Sequence, residues 1–388
     1  MTPAARLSAA IGILDRVLGG AVAEKTLTNW ARGNRYAGSG DRHAIRDLVF
    51  DALRNRRSFA HLGGGDTGRG LILGGLRAAG LDPAEMFSGQ GYAPAALTDA
   101  EIIPPAPPGG NVAIDCPDWL APLLRQSLGD DFAPVMRLLQ RRAPLQLRVN
   151  TRKSDIKNAI QLLEKEGIMV GRSPLSPVAL EVTANPRKVQ ASEAYLTGLI
   201  ELQDAASQAV VQALPLRPGA RVLDYCAGGG GKSLAMAAAA EITCFAHDID
   251  PRRMIDLPAR AARAGVQITQ LTTEILPDLE RFDLVFADAP CSGSGSWRRT
   301  PEAKWALTPD RLCQLCGIQA EILDKAAKFV SKRGHLAYAT CSLLEAENQD
   351  QIATFLSRTP GWACQATHRW TPLDGGDGFF VAILARWR

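Results

Sequence analysis

The stretch Arg221-Val222-Leu223-Asp224-Tyr225-Cys226-Ala227-Gly228-Gly229-Gly230-Gly231-Lys232-Ser233 decides the fold. Val222-Leu223 reads as a short buried strand. Residues 233–240 read as a helix, and small residues turn the chain between the two. Strand, glycine turn and helix make the ligand-binding corner of a doubly wound α/β sheet. The glycines let backbone N–H groups come close to a ligand at the positive end of the helix.

Three loop chemistries compete for this corner. A phosphate-binding loop reads G-x-x-x-x-G-K-[ST]; Gly231-Lys232-Ser233 supplies its end, but its first glycine position holds Cys226. A dinucleotide fingerprint fails at its third glycine. In a loop for S-adenosylmethionine, an acid ends strand one and a second acid, at the end of strand two, holds the ribose hydroxyls. Asp224 fits the first role. Asp248, closing the run over residues 242–247, fits the second. A plain strand-to-helix turn would use the same glycines, so this stretch alone leaves its ligand open.

Around this corner the second half of the chain alternates strand and helix. Apolar strands are expected at Val222-Leu223 and over residues 242–246, 282–287 and 335–339. Helices are expected over residues 233–240, 251–264 and 309–330. Continuous apolar strands imply a parallel sheet covered on both faces. Upstream, residues 117–195 suggest a small α+β unit. Its helices fall at 119–128, 132–139 and 155–166, and its strands at 145–150, with Leu145, Leu147 and Val149 on one face, and at 179–182. Residues 1–90 are helical in pattern, with Leu7, Ile11, Leu14, Val17 and Leu18 at helical spacing. So are Ile45, Leu48, Val49 and Leu53, beside Arg42, Arg46, Arg54, Arg56 and Arg57. Those arginines suit the solvated face of a helix. Gly63-Gly64-Gly65 breaks the pattern, and residues 88–115, rich in proline and glycine, read as a linker.

With 388 residues, 46% of them hydrophobic, the chain can build two or three cores. The net charge of +4 identifies no partner by itself. Its distribution says more: residues 136–175 hold nine Lys or Arg against three Asp or Glu. Arg137, Arg141, Arg142, Arg148, Arg152, Lys153 and Lys157 dominate that excess, which suits either a phosphate backbone or an ordinary basic surface. The eight cysteines are scattered, and no signal peptide precedes them, so a reducing cytoplasm is expected and not a disulfide framework. No apolar run reaches the length of a membrane span.

Three strand ends carry reactive side chains. One gives Asp224 and the glycine loop. The next gives Asp288-Ala289-Pro290-Cys291-Ser292-Gly293-Ser294-Gly295-Ser296, and the last gives Thr340-Cys341-Ser342. Ligands of such sheets sit beyond these carboxyl ends. A lone cysteine there is usually a small core residue; two at adjacent ends suggest chemistry. No metal site is expected, since no histidine or second cysteine pair stands at ligand spacing. Cys313-x-x-Cys316 falls inside an expected helix and reads as packing.

These segments resemble the Nop/Sun family of RNA cytosine-C5 methyltransferases. The family loop C-A-A-P-G-G-K stands here as Cys226-Ala227-Gly228-Gly229-Gly230-Gly231-Lys232. D-A-P-C-S-G is unchanged at residues 288–293. R-x-P-D-x-K-W is similar to Arg299-Thr300-Pro301-Glu302-Ala303-Lys304-Trp305, followed by a matching Gln319. Y-x-T-C-S-x-x-x-x-E-N matches Tyr338 through Glu347-Asn348. Leu147-Arg148-Val149-Asn150 and Gln203-Asp204-Ala205-Ala206-Ser207 match as well, so the likeness runs from about residue 117 to the end. Residues 1–90 more weakly resemble a NusB-like helical domain.

The resemblance implies three domains: a helical domain with linker over 1–110, an α+β RNA-binding domain over 111–195, and a doubly wound, Rossmann-like class I methyltransferase domain over 196–388. It implies S-adenosylmethionine bound by Cys226, Ala227, Gly228, Gly229, Gly230, Gly231 and Lys232, with Asp248 and Asp288. It makes Cys341 the nucleophile toward cytosine C6, and Asp288 the partner of the base's N3 and N4 edge. Cys291 would assist breakdown of the adduct. The partner would be a single-stranded or flipped cytosine in RNA, small-subunit ribosomal RNA before transfer RNA, met by a monomer without a membrane. Two departures stand out. Gly228-Gly229 replace A-P, and residues 270–274 fix no acid beside the adenine. An ATP-using enzyme, a non-catalytic RNA-binding assembly factor, and methylation of protein or DNA are the rival readings; Cys226 opposes the first and the cysteine pair opposes the others.

Overall fold

In the computed structural model, which describes residues 1–387, the apolar runs of the second half pair into one seven-stranded sheet. A smaller sheet precedes it. Its strands are β1 (Leu145–Val149), β2 (Met169–Arg172), β3 (Ala179–Ala184) and β4 (Ile200–Leu202), in the order β2-β3-β1-β4 and antiparallel throughout. The helix Ile156–Lys165 covers it, with Ala159 and Leu163 buried against Leu147, Val149 and Leu180. Asp155 caps that helix by accepting the Asn158 N–H at 2.8 Å.

The large sheet holds β5 (Arg221–Asp224), β6 (Thr243–His247), β7 (Ile268–Leu271), β8 (Phe282–Asp288), β9 (Val330–Thr340), β10 (Trp362–Trp370) and β11 (Phe379–Arg386). Their order is β10-β11-β9-β8-β5-β6-β7. β11 runs antiparallel to both of its neighbours, and the pairings from β9 through β8, β5 and β6 to β7 are parallel. The period of two sends alternate residues of β8 to opposite faces. Leu284 and Phe286 join Val222, Ala337 and Val381 on one face; Val285 and Ala287 join Leu223, Leu336 and Tyr338 on the other. The order reverses around β5, which pairs with β6 on one side and β8 on the other. That topological switch opens a crevice at the carboxyl ends of β5 and β8.

The helix expected over residues 251–264 is broken into a 3-10 turn, Pro251–Met254, and a helix, Leu257–Ala264. Pro258 lacks an N–H and its ring would clash with the carbonyl four residues earlier, so it can only open a new helix. The helix expected over 309–330 ends at Ala327, and β9 begins at Val330.

Two compact units emerge from the packing: residues 1–142 with 297–306, and residues 143–296 with 307–388. The helices Ala121–Leu128 and Phe132–Leu139, grouped in the sequence with the strands after them, cluster with the first unit. In that unit the helices Pro3–Leu18, Ala23–Gly33, Ser39–Arg54, Arg56–Gly63 and Gly68–Ala78 surround Leu7, Leu14, Ile45, Val49, Leu53 and Leu71. The break expected at the glycine triplet is present, with Gly64 at φ 81° after the fourth helix. Among the described residues no helix is long and apolar enough to cross a membrane.

Candidate active site

A cavity of about 390 Å³ lies at the carboxyl ends of β5, β8 and β9, wholly within the second unit. Asp224, the glycine loop, Lys232, Asp288, Cys291 and Cys341 face into it. Gly228 at φ 52° and Gly230 at φ 75° bend the loop in the left-handed region that glycine alone adopts without strain. Cys226, Ala227, Gly228, Gly229, Gly231 and Lys232 line the cavity. Gly230 does not; it is the N-cap of the helix Gly231–Ala239 and packs toward Leu257.

Asp224 is almost wholly buried. Its Oδ2 accepts a hydrogen bond from Ser233 Oγ at 2.6 Å, while Oδ1 has no partner among the described residues. Burial pushes its carboxyl up to about 7; the Ser233 hydrogen bond opposes that and the nearby charge of Asp288 adds to it. A buried carboxylate oxygen left unpaired inside a cavity fits a cationic ligand group, such as the ammonium of an amino acid. Asp248 lies behind the loop and not in the cavity wall. Its Oδ2 accepts from Gly228 N at 2.8 Å and from Arg253 Nη1 at 2.9 Å, and Oδ1 accepts from Asp250 N at 3.0 Å. Residues 270–274 contribute nothing to the lining; Gln270 donates to the Met254 carbonyl and Thr273 pairs with His247.

Lys232 Nζ lies 2.6 Å from Asp288 Oδ2 and 4.9 Å from the centre of the Phe379 ring. Burial opposes the lysine's charge, yet the charge and hydrogen bond of Asp288 outweigh it and raise Lys232 above its ordinary value. The two thiols meet beside this pair: Cys291 Sγ and Cys341 Sγ are 3.4 Å apart, both half-buried and unbridged. The hydrogen bond to Cys341 and burial push the Cys291 thiol well up. The remaining pair, Cys313 and Cys316, sits on the helix Pro309–Ala327, with Cys316 against the Ala346 carbonyl and Cys313 exposed. Among the described residues no cluster of ligating side chains could hold a metal.

Of the basic residues counted over 136–175, Arg148 is buried, and the exposed Arg152 and Lys153 donate to carbonyls of the same unit. Arg148 is buried; its Nη1 donates to Gln203 Oε1 at 2.6 Å and to the Gly231 carbonyl at 3.0 Å. Burial lowers its value to about 10. Arg148 therefore braces the glycine loop from below and is withdrawn as a phosphate contact. Arg152 Nε donates to the Ala237 carbonyl, and Lys153 Nζ to the Thr197 and Arg263 carbonyls. Arg142 pairs with Asp47. Arg137, Arg141 and Lys157 stay exposed.

A Rossmann-like sheet with an acid-flanked glycine loop and two thiols at its switch point defines a methyltransferase-type site. The family model described as 16S rRNA methyltransferase RsmB/F matches residues 211–385, and that of the RsmF/B-like ferredoxin-like domain matches residues 116–190. A Klebsiella pneumoniae protein named ribosomal RNA small subunit methyltransferase B is 33% identical over 288 residues, covering 70% of this chain and 66% of that relative. The crystal structure of PH0851 is similar over 100% of this chain and 99% of its own, at 23% identity and a TM-score of 0.81. That of NSun6 from Pyrococcus horikoshii with SFG covers 70% of this chain and 98% of its own, at 19% identity and a TM-score of 0.62. The two matched segments of this chain belong to the RsmB/F methyltransferase family, and the chain spans 66% of the length of the first curated relatives it matches. The family is one of S-adenosylmethionine-dependent RNA methyltransferases.

Proposed function

We propose that this protein methylates C5 of a cytosine in RNA, with small-subunit ribosomal RNA as its substrate. The observation that carries this reading is the 3.4 Å approach of Cys291 and Cys341 at the mouth of a methyltransferase-type loop. Cytosine C5 is a poor nucleophile. A thiolate that adds to C6 turns the ring into an enamine whose C5 is electron-rich, which divides one hard step into easier ones. Cys341 is the proposed attacking group. Asp288 hydrogen-bonds the N3 and N4 edge of the base and stabilises the adduct. Cys291 acts when the C5 proton leaves and the Cys341 thiolate is expelled.

S-adenosylmethionine, when bound, supplies the electrophilic methyl group. Asp224 Oδ1 would receive its ammonium and residues 226–232 would surround its methionine half, while Asp248, buried behind the loop, would fix the loop's shape through Gly228 N. A stacked base cannot present C6 to a thiol in a cavity, so the target is single-stranded or flipped out. Arg137, Arg141 and Lys157 are exposed and are the first candidates for flanking phosphates, ahead of the exposed Arg142, Arg152 and Lys153, which already hold partners within the chain.

Bisulfite sequencing of total RNA from cells with and without the gene tests the reading. One cytosine of small-subunit ribosomal RNA should lose its protection in the deletion and regain it on complementation. Protection lost in transfer RNA alone would transfer the proposal to that substrate, and unchanged protection everywhere would defeat it.

A further inference from the structure

One carboxylate lies beneath both cysteine loops. Glu347 is fully buried. Its Oε1 accepts hydrogen bonds from Ser292 N at 2.7 Å and Gln319 Nε2 at 3.0 Å. Its Oε2 accepts from Ser292 Oγ and Ser342 Oγ, each at 2.5 Å. Ser292 directly follows Cys291, and Ser342 directly follows Cys341. The main chain of Glu347 is itself anchored, its carbonyl accepting from Tyr338 OH at 2.7 Å. The next residue, Asn348, donates to the Ser342 carbonyl at 2.9 Å and accepts from Thr340 Oγ1 at 2.5 Å.

Burying a carboxylate is costly unless its oxygens are satisfied. This one holds four hydrogen bonds, three of them from the two serines. A shift of either loop would break at least one bond to a buried carboxylate, so the group couples two loops that leave different strands. We propose that Glu347 is a positioning residue that sets the spacing of the Cys291 and Cys341 thiols, so that both reach one base ring. The proposal rests on the two-cysteine reading above. An amide at this position keeps the acceptor oxygen but turns an amino group toward the serine hydroxyls, so Glu347→Gln should fall between wild type and Glu347→Ala.

Spacing can be read without RNA. Phenylarsine oxide bridges two thiols only when both reach one arsenic atom. In a Cys313→Ser background, which removes the other neighbouring pair, the protein should bind one equivalent, and Cys291→Ala or Cys341→Ala should abolish tight binding. Glu347→Ala should weaken capture by at least about tenfold, the scale of a buried hydrogen-bond set left unmade, with Glu347→Gln weakened less. In methylation assays kcat should fall in the same order while KM for RNA and cofactor holds. Wild-type arsenical capture and wild-type kcat in Glu347→Ala would overturn the proposal. If that variant does not fold, the Ser292→Ala/Ser342→Ala double variant, which empties Oε2, is titrated with the same two outcomes. Capture weakened in a protein that methylates no RNA would uphold the positioning role and defeat only the reading of activity.

Discussion

Asp224 enters the cavity with one oxygen satisfied by Ser233 and the other without a partner among the described residues, and burial lifts its carboxyl to about 7. That folded value lies above the ordinary carboxylate value of about 4. The free protein therefore draws stability from this group at low pH and loses it as pH rises from about 4 through about 7. An ammonium set against Oδ1 favours the ionised form, so cofactor binding should release the proton. Affinity should then rise by about tenfold per unit below about pH 7 and level off above it. Calorimetric titration across that range checks the slope. Asp224→Asn should bind weakly with a flat profile, and a flat profile in the wild type would remove Asp224 from the ammonium contact. Asp224, Cys291 and Cys341 were legible because each stands at or just beyond the end of an apolar run. Glu347 was visible only as a letter in a resembling motif. Its partners Ser292 and Gln319 lie 55 and 28 residues away, and only the fold brings them under one carboxylate.

At the scale of elements, the charge count over residues 136–175 shows its limit. Counting sees charge and cannot see burial. β1 is paired on both edges, with β3 and β4, and Arg148 on it is buried beneath the glycine loop. Arg148→Ala should leave Gln203 Oε1 and one bond to the Gly231 carbonyl unmade, costing about 1–3 kcal/mol of stability in denaturant unfolding. It should leave the salt dependence of RNA binding unchanged, whereas Arg137→Ala or Arg141→Ala should lower the slope by about one unit for each phosphate lost. A slope that falls with Arg148→Ala at unchanged stability would return it to the surface. Two of the strands that the sequence did not reveal have physical explanations too. β10 carries Gln365, Thr367, His368 and Arg369, is only partly buried and pairs on one edge alone. β11 is one apolar run from Phe379 to Ala385, a pattern that periodicity cannot tell from a buried helix.

For the whole molecule, every residue assigned to the chemistry lies in the second compact unit, and the strand order places the residues together. Asp288 and Cys291 leave β8, Cys341 leaves β9, and the loop leaves β5, so the switch point assembles what the chain spreads over more than a hundred residues. The central claim is that the two thiols act in sequence on one base. Denaturing gel electrophoresis of cysteine variants incubated with target RNA and cofactor tests it most directly. Cys291→Ala should permit attack but impair release, and so accumulate a covalent protein–RNA band. Cys341→Ala should form no band and no product, and the double variant should form none either. A band in Cys341→Ala that is absent from Cys291→Ala would reverse the two roles, and full activity in both single variants would contradict covalent catalysis altogether.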